Sequence, residues 1–170
     1  MKFSLIAAAD EKMGIGKNER LPWRLSTDLR YFHDTTIGEG KNAVIMGRTT
    51  WESIPKKHRP LEGRFNIVMS RSQQTALGDG AKAAASLDEA LSFAREAKCK
   101  KIFVIGGAQI FAEAITSPGC EEIYLTKLEG KFGCDTFFPK IELKQFKKIW
   151  RSQIHQENNI TFQFVIYKKR

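Results

Sequence analysis

Short, nearly continuous apolar runs alternate along the chain with segments whose apolar positions recur every three to four residues. Residues 3–9, 43–46, 65–70, 102–105 and 123–126 are runs of the first kind, rich in Val, Ile, Phe and Ala. Such runs read as central strands of a sheet covered on both faces. The clearest helix spans residues 86–97. Ser86 and Glu89 have the spacing of a capping box, and Leu87, Ala90, Leu91 and Ala94 fall at i, i+3, i+4 and i+7. The alternation of the two patterns predicts an α/β fold with a largely parallel sheet.

The period changes at the C-terminus. Ile160, Phe162, Phe164 and Ile166 alternate with Thr161, Gln163, Val165 and Tyr167, which suits a strand with two distinct faces. With residues 150–156 as its partner and Glu157-Asn158-Asn159 as the turn, this segment predicts an antiparallel hairpin at the sheet edge. No internal repeat, low-complexity tract or long linker divides the 170 residues, which read as one domain.

Composition agrees with a single closed core: 42% of residues are hydrophobic and 11% aromatic. The balance of 28 Lys and Arg against 19 Asp and Glu gives a net charge of +9. That excess favours an anionic partner, whether a phosphorylated cofactor, an acidic substrate or nucleic acid. Cys99, Cys120 and Cys134 are odd in number and widely spaced, without the clustering of a zinc site, so a reducing compartment is expected and no metal. The first ten residues imitate a signal peptide, but cleavage at the small residues 7–9 would leave too short an apolar core. No stretch approaches the ~20 apolar residues of a membrane span, and the expected location is the cytoplasm. There the glycosylation sequon Asn159-Ile160-Thr161 has no meaning.

Several chemical signals fail on inspection. Gly38-Glu39-Gly40-Lys41 lacks the spacing of a phosphate-binding P-loop and reads as a surface turn. His33, His58 and His155 have no metal-ligand spacing, and no GxSxG elbow is present. Three other clusters each follow a predicted strand. Gly106 and Gly107, with Ala108, Gln109 and Ile110, end one strand and open a helix, where bare backbone and exposed amides suit a phosphate or simply form a tight turn. Gly47, Arg48, Thr49 and Thr50 bring a guanidinium, hydroxyls and amides to a helix start, although Arg48 also reads as a solvated surface charge. Ser70 and Arg71 follow a third strand. An open α/β sheet holds nucleotides at such strand ends.

The segment 14–32 places one carboxylate, Asp28, among Trp23, Leu25, Leu29 and Phe32. If a helix begins at Leu25 or Ser26, then Asp28, Phe32 and Thr35 share one face, with Leu25 and Leu29 toward the neighbouring core. By pattern alone Asp28 also reads as a first-turn acid that interacts favourably with the helix dipole.

In these segments the chain resembles the dihydrofolate reductase family. The resemblance rests on Gly14-Ile15-Gly16, Leu21-Pro22-Trp23, Asp28-Leu29 with Phe32, VIMGRTTWESIP from Val44, RPLEGR from Arg59, VIGGAQIF from Val104, YLT from Tyr124 and DTFFP from Asp135. These segments follow the family's order over almost the full chain. The resemblance implies a single-domain, twisted, mostly parallel eight-stranded sheet with about four flanking helices. It also implies reduction of 7,8-dihydrofolate to tetrahydrofolate by NADPH, with hydride passing to pterin C6 and a proton reaching N5, in support of one-carbon and thymidylate metabolism.

Carried over by position, Asp28 would hold the pterin 2-amino group and N3 and promote protonation. Trp23 would order nearby water, and Leu21 would sit on the loop covering the nicotinamide. Phe32, Ile54 and Leu61 would form the apolar slot, with Ile6, Ala8, Ile105 and Phe111 near the pterin. Thr126 would bond to Asp28, and Arg64 would pair with the substrate's α-carboxylate. Ala8 and Ile15 would contact the nicotinamide, and Gly16 and Ile105 would also bind the cofactor. Arg48, Thr49 and Thr50 would meet the phosphates and Gly107 to Ile110 the pyrophosphate, with Gly47 and Gly106 also binding the cofactor. Ser70 and Arg71 would select the 2′-phosphate of NADPH. The family also implies a cis bond at Gly106-Gly107. Ala108, Phe111 and Glu62 depart from the family's frequent Gly, Tyr and Pro. Antifolate-type inhibitors are expected ligands. No segment of the 170 residues reads as a thymidylate synthase domain, and a monomer is expected.

Two rival readings make different demands. The related reductase of riboflavin biosynthesis shares the fold and cofactor, but Trp23, Asp28 and Arg64 suit a pterin with a glutamate tail. A nucleic-acid module would interleave exposed aromatics with its basic residues, whereas the aromatics here follow core-patterned strands. Neither nucleic acid nor a membrane is therefore an expected partner.

Overall fold

The computed structural model describes residues 1–72, 77–78 and 80–170. The chain runs through β1 (Phe3–Ala9), β2 (Gly14–Gly16), α1 (Ser26–Ile37), β3 (Asn42–Gly47), α2 (Arg48–Ser53) and a 3₁₀ turn (Lys56–His58). It continues through β4 (Arg64–Met69), β5 (Ala81–Ala84), α3 (Leu87–Glu96), β6 (Ile102–Gly106), α4 (Ala108–Thr116) and β7 (Cys120–Leu128). Four strands close it: β8 (Thr136–Phe137), β9 (Phe146–Arg151), β10 (His155–Glu157) and β11 (Ile160–Lys169).

The main sheet has the order β10-β11-β7-β1-β6-β3-β4-β5. From β7 to β5 every pairing is parallel, and β11 joins antiparallel to β7. The continuous path thus has the expected eight strands, and β9 adds a ninth along the free edge of β11. The C-terminal hairpin forms around Asn158 and Asn159, both at positive φ (51° and 60°), as the turn signal predicts. Its first strand differs from the expected continuous run over 150–156. Ser152 accepts from the Gln163 side chain and the Phe164 N–H, donates its own N–H to the Phe164 carbonyl, and separates the partner of β11 into β9 and β10. A second, two-stranded sheet pairs β2 with β8.

Strand alternation fills both faces. Leu5, Ile45, Ile67 and Val104 belong to one core cluster, while Ile6, Val44, Met46, Val68 and Phe103 belong to the other, all nearly inaccessible. Both faces being covered explains why these strands read as continuous apolar runs. Truncating any of the large ones to Ala would cost roughly 2–5 kcal/mol. Helix α3 begins as its sequence predicts, with Ser86 Oγ accepting the Glu89 N–H at 3.1 Å. Glu89 reaches one residue further back than an ideal capping box, to the Ala85 N–H. Leu87, Ala90 and Ala94 are its buried stripe.

Candidate active site

The carboxyl ends of β3, β4 and β6 open into one cleft of about 1480 Å³. Because these strands are parallel neighbours, the three segments that follow them converge on its rim. Gly47, Arg48, Thr49 and Thr50 come from the β3 end, Ser70 and Arg71 from β4, and Gly106, Gly107, Ala108, Gln109 and Ile110 from β6. Two of these glycines sit where space is tight, and Gly106 also has a backbone conformation that favours glycine. A Cβ on Gly106, whose φ is +145°, would stand 2.9 Å from Thr50 Oγ1, and one on Gly47 would stand 3.0 Å from Ile110 Cδ1. The Gly106-Gly107 peptide is cis.

Helix α4 starts at Gly107 without a side-chain cap, the arrangement in which first-turn amides and the helix dipole attract an anion. Arg48 carries part of its charge into a pair with Glu52 one turn on, Nε donating to Oε1 at 2.7 Å. Ser70 Oγ donates to the Ser72 carbonyl at 3.1 Å just beyond the end of β4.

The other half of the cleft is apolar. Ala8, Ile15, Phe32, Ile54, Leu61, Ile105 and Phe111 line it, with Gly16 and Leu21 on the segment that follows β1. Asn66 fixes Leu61 from beneath, its amide bridging both the N–H and the carbonyl of that residue at 2.8 and 2.9 Å. Leu29 departs from its expected place against the core: it is 52% exposed and lines the cleft. The helix turns about 100° per residue, so burial of Asp28 swings its immediate neighbour outward.

Arg64 lies at the apolar end, half-buried and lining the cleft. Its Nη1 donates to Thr36 Oγ1 at 2.9 Å and its Nε to the Glu62 carbonyl at 3.0 Å. Thr36 is itself fixed by donation to the Phe32 carbonyl at 2.8 Å. Burial lowers the Arg64 pKa and the Glu62 carboxylate partly offsets this, so the planar cation is retained at any ordinary pH.

Four predicted residues, Ile6, Trp23, Asp28 and Thr126, are not among those that line the cleft, and each is at least 92% buried. Thr126 Oγ1 donates to Asp28 Oδ1 at 2.6 Å. Thr126 is in register with Ala8 of β1, a cleft residue, and Asp28 is flanked on α1 by the cleft residues Leu29 and Phe32. Burial raises the Asp28 pKa, the Thr126 bond lowers it, and the charge of Glu157 raises it again, for a net upward shift. Trp23 packs with Leu25, Leu128, Phe162 and Phe164 and meets Phe132 edge-on at 5.3 Å between ring centroids. Its buried Nε1 has no acceptor among the described protein groups.

Two carboxylates that shape the site escape a reading of the sequence. Asp10 Oδ1 accepts the N–H of Lys12 and Gly14, and Oδ2 accepts that of Phe132, which ties the β1–β2 turn to the loop before β8. Burial opposes its ionisation, but these bonds overcome that effect and lower its pKa. Glu157 caps α1 across 131 residues of sequence. Asp10 is legible only as an acid after a strand, and Glu157 only as a turn residue, because their partners are set by the fold.

The dihydrofolate reductase family profile matches residues 2–169. The chain is 41% identical to the dihydrofolate reductase of Heliothis virescens over 181 residues, covering 99% of this chain and 98% of that protein. It is 39% identical to the dihydrofolate reductase of Rattus norvegicus, covering 97% and 96% of the two. It is also 41% identical to the bifunctional dihydrofolate reductase-thymidylate synthase of Glycine max, covering 97% of this chain and 33% of that protein. The chain spans about a third of the length of the bifunctional relatives it matches.

Proposed function

Because the chain belongs to the dihydrofolate reductase family, we propose that it reduces 7,8-dihydrofolate to tetrahydrofolate with NADPH, and that Asp28 governs the protonation that accompanies hydride transfer. The observation that carries this reading is the buried Asp28–Thr126 pair, whose neighbours Leu29, Phe32 and Ala8 line a cleft that also holds Arg64 and three strand termini.

The residues present fit both molecules. A flat heterocycle with apolar faces and one polar edge suits Phe32, Ile54, Leu61 and Ile105, with Ile6, Ala8 and Phe111 closing the inner end. The polar edge meets Asp28, which binds the 2-amino group and N3. Arg64 offers its planar fork to the glutamate α-carboxylate, already oriented by Thr36 and the Glu62 carbonyl. Gly47 and Gly106 leave the cradle that a phosphate chain needs, and Arg48, Thr49, Thr50 and the segment Gly107 to Ile110 supply its donors. When bound, the reduced nicotinamide supplies the hydride. Ala8, Ile15 and Gly16 orient it, and Leu21 covers it from the loop.

Asp28 controls the proton. Its raised pKa means that it holds a proton to higher pH than an ordinary carboxyl. Activity is therefore highest on the acid side of that pKa and declines as pH rises through it. Trp23, whose buried Nε1 has no acceptor among the described protein groups, would order water near the pterin. The chain acts as a cytoplasmic monomer on this reading, in keeping with three free thiols.

Purified protein with NADPH and dihydrofolate, followed by nicotinamide absorbance, tests the proposal. Folate-dependent oxidation is expected, and its absence sinks the reading. Cofactor choice has its own test. Loss of both side chains in S70A/R71A is expected to raise the KM for NADPH by roughly 10- to 100-fold, the scale of charge-assisted phosphate contacts, while leaving that for NADH nearly unchanged. A parallel loss with both cofactors would show that Ser70 and Arg71 do not read the 2′-phosphate.

A further inference from the structure

The helix that presents Asp28 has no cap of its own. Its N-cap residue is Leu25, which has no side-chain acceptor to offer the first-turn amides. The C-terminal hairpin supplies what is missing. Glu157 Oε1 accepts the Ser26 N–H at 2.7 Å and the Ser26 hydroxyl at 2.6 Å, and Oε2 accepts the Thr27 N–H at 3.1 Å. Asn158, the next residue, donates from its side chain to the Arg24 carbonyl at 2.7 Å. The same hairpin stacks Phe164 on Tyr31 of α1 with ring centroids 4.0 Å apart. Asp28 is thus one residue beyond a double backbone clamp.

We propose that Glu157 is a positioning residue of the reduction: from the C-terminal hairpin it fixes the first turn of α1, and thereby where the Asp28 carboxylate stands against the pterin. The inference rests on the proposed role of Asp28.

The electrostatics around α1 support it. The bonds from Ser26 and Thr27 lower the Glu157 pKa to about 2, so the cap stays ionised throughout the range in which Asp28 titrates. Its negative charge also favours the protonated form of Asp28. Other charged or titratable groups facing the helix are differently placed. Tyr31 is held neutral by burial, which raises its pKa. Arg64 of β4 is bonded to Thr36, two turns from Asp28. His155 of β10 stacks on Phe162 of β11. His33 and Asp34 pair with each other on the exposed side.

The test compares pH profiles of dihydrofolate reduction for the wild type, E157Q, E157A and D28N, with E121Q as a charge-change control at the remote, exposed pair with Lys2. E157Q keeps the shape and an acceptor but removes the charge. Its profile is expected to move to lower pH, because a negative charge that helped Asp28 hold its proton is gone. E157A is expected to show the same movement together with a roughly fivefold loss of kcat/KM, the scale of a lost helix cap. Faster amide exchange at Ser26 and Thr27 should accompany that loss. E121Q should leave the profile unchanged. If E157A does not fold, E157Q alone decides. A profile for E157Q that coincides with the wild type, while D28N is impaired, overturns this inference alone. No folate-dependent oxidation by the wild type overturns the functional reading, and this inference with it.

Discussion

Replacing Asp28 by Asn is expected to cut turnover near neutral pH by about 10²–10³-fold, within the usual range for a positioned acid or base. Asn fills the same space, and its Oδ1 can still accept from Thr126 Oγ1, so the fold and cofactor affinity should persist. What is lost is the ability to bind and release a proton next to the pterin. The residual rate should also lose the pH dependence ascribed to Asp28. Steady-state kinetics between pH 5 and 9 check both points, and near-normal turnover in D28N would remove Asp28 from the mechanism.

The same substitution should stabilise the protein. Burial raises the folded-state pKa of Asp28 above its ordinary value. For an acid shifted in this direction, the folded state holds the proton more tightly than the unfolded chain does. Stability therefore falls as pH rises from the ordinary carboxyl range through the raised pKa, and the penalty persists above it. Asn carries no such penalty. Thermal unfolding should show D28N melting higher than the wild type at neutral pH, with the gain vanishing in acid. A gain in stability paired with a loss of activity is the mark of a group kept for its chemistry.

The second large effect is expected at Arg64. Arg64→Leu should raise the KM for dihydrofolate by roughly 50- to several hundred-fold, because removing one partner of a half-buried charge pair leaves the substrate carboxylate desolvated and unpaired. Turnover at saturation should change far less, since the guanidinium stands at the far end of the cleft from the reacting atoms. Arg64→Lys should recover only part of the affinity, as an ammonium cannot reproduce the bidentate fork. A folate analogue lacking the glutamate should bind wild type and R64L alike. Discrimination between them would assign Arg64 a structural role instead, through Thr36 and the Phe32 carbonyl.

Much of the site was legible before the fold. The strands were visible because both sheet faces are covered, and the clusters at Gly47, Ser70 and Gly106 were visible because each follows a strand. The hairpin turn was visible in Asn158-Asn159. Leu29 was misread because period alone cannot say which side of an amphipathic helix turns to the core and which to the cleft. The strand opposite β11 was read as continuous because nothing in the 150–156 segment announces that Ser152 breaks it.

By itself the sequence determined where the central strands and helix α3 lie, which strand ends carry glycine, hydroxyl or cation, and that a carboxylate lies among aromatic residues. Those properties depend on neighbours within a turn or two of chain, so periodicity and capping chemistry report them. Periodicity could not show that Thr126 bonds to Asp28 across 98 residues, which only the family resemblance anticipated, and only the tertiary structure decided that three separate strand ends share one cleft and that Glu157 caps α1 across 131 residues. Such contacts arise from the order in which strands assemble in the sheet. A carboxylate waiting for a distant partner has the same local pattern as one facing water.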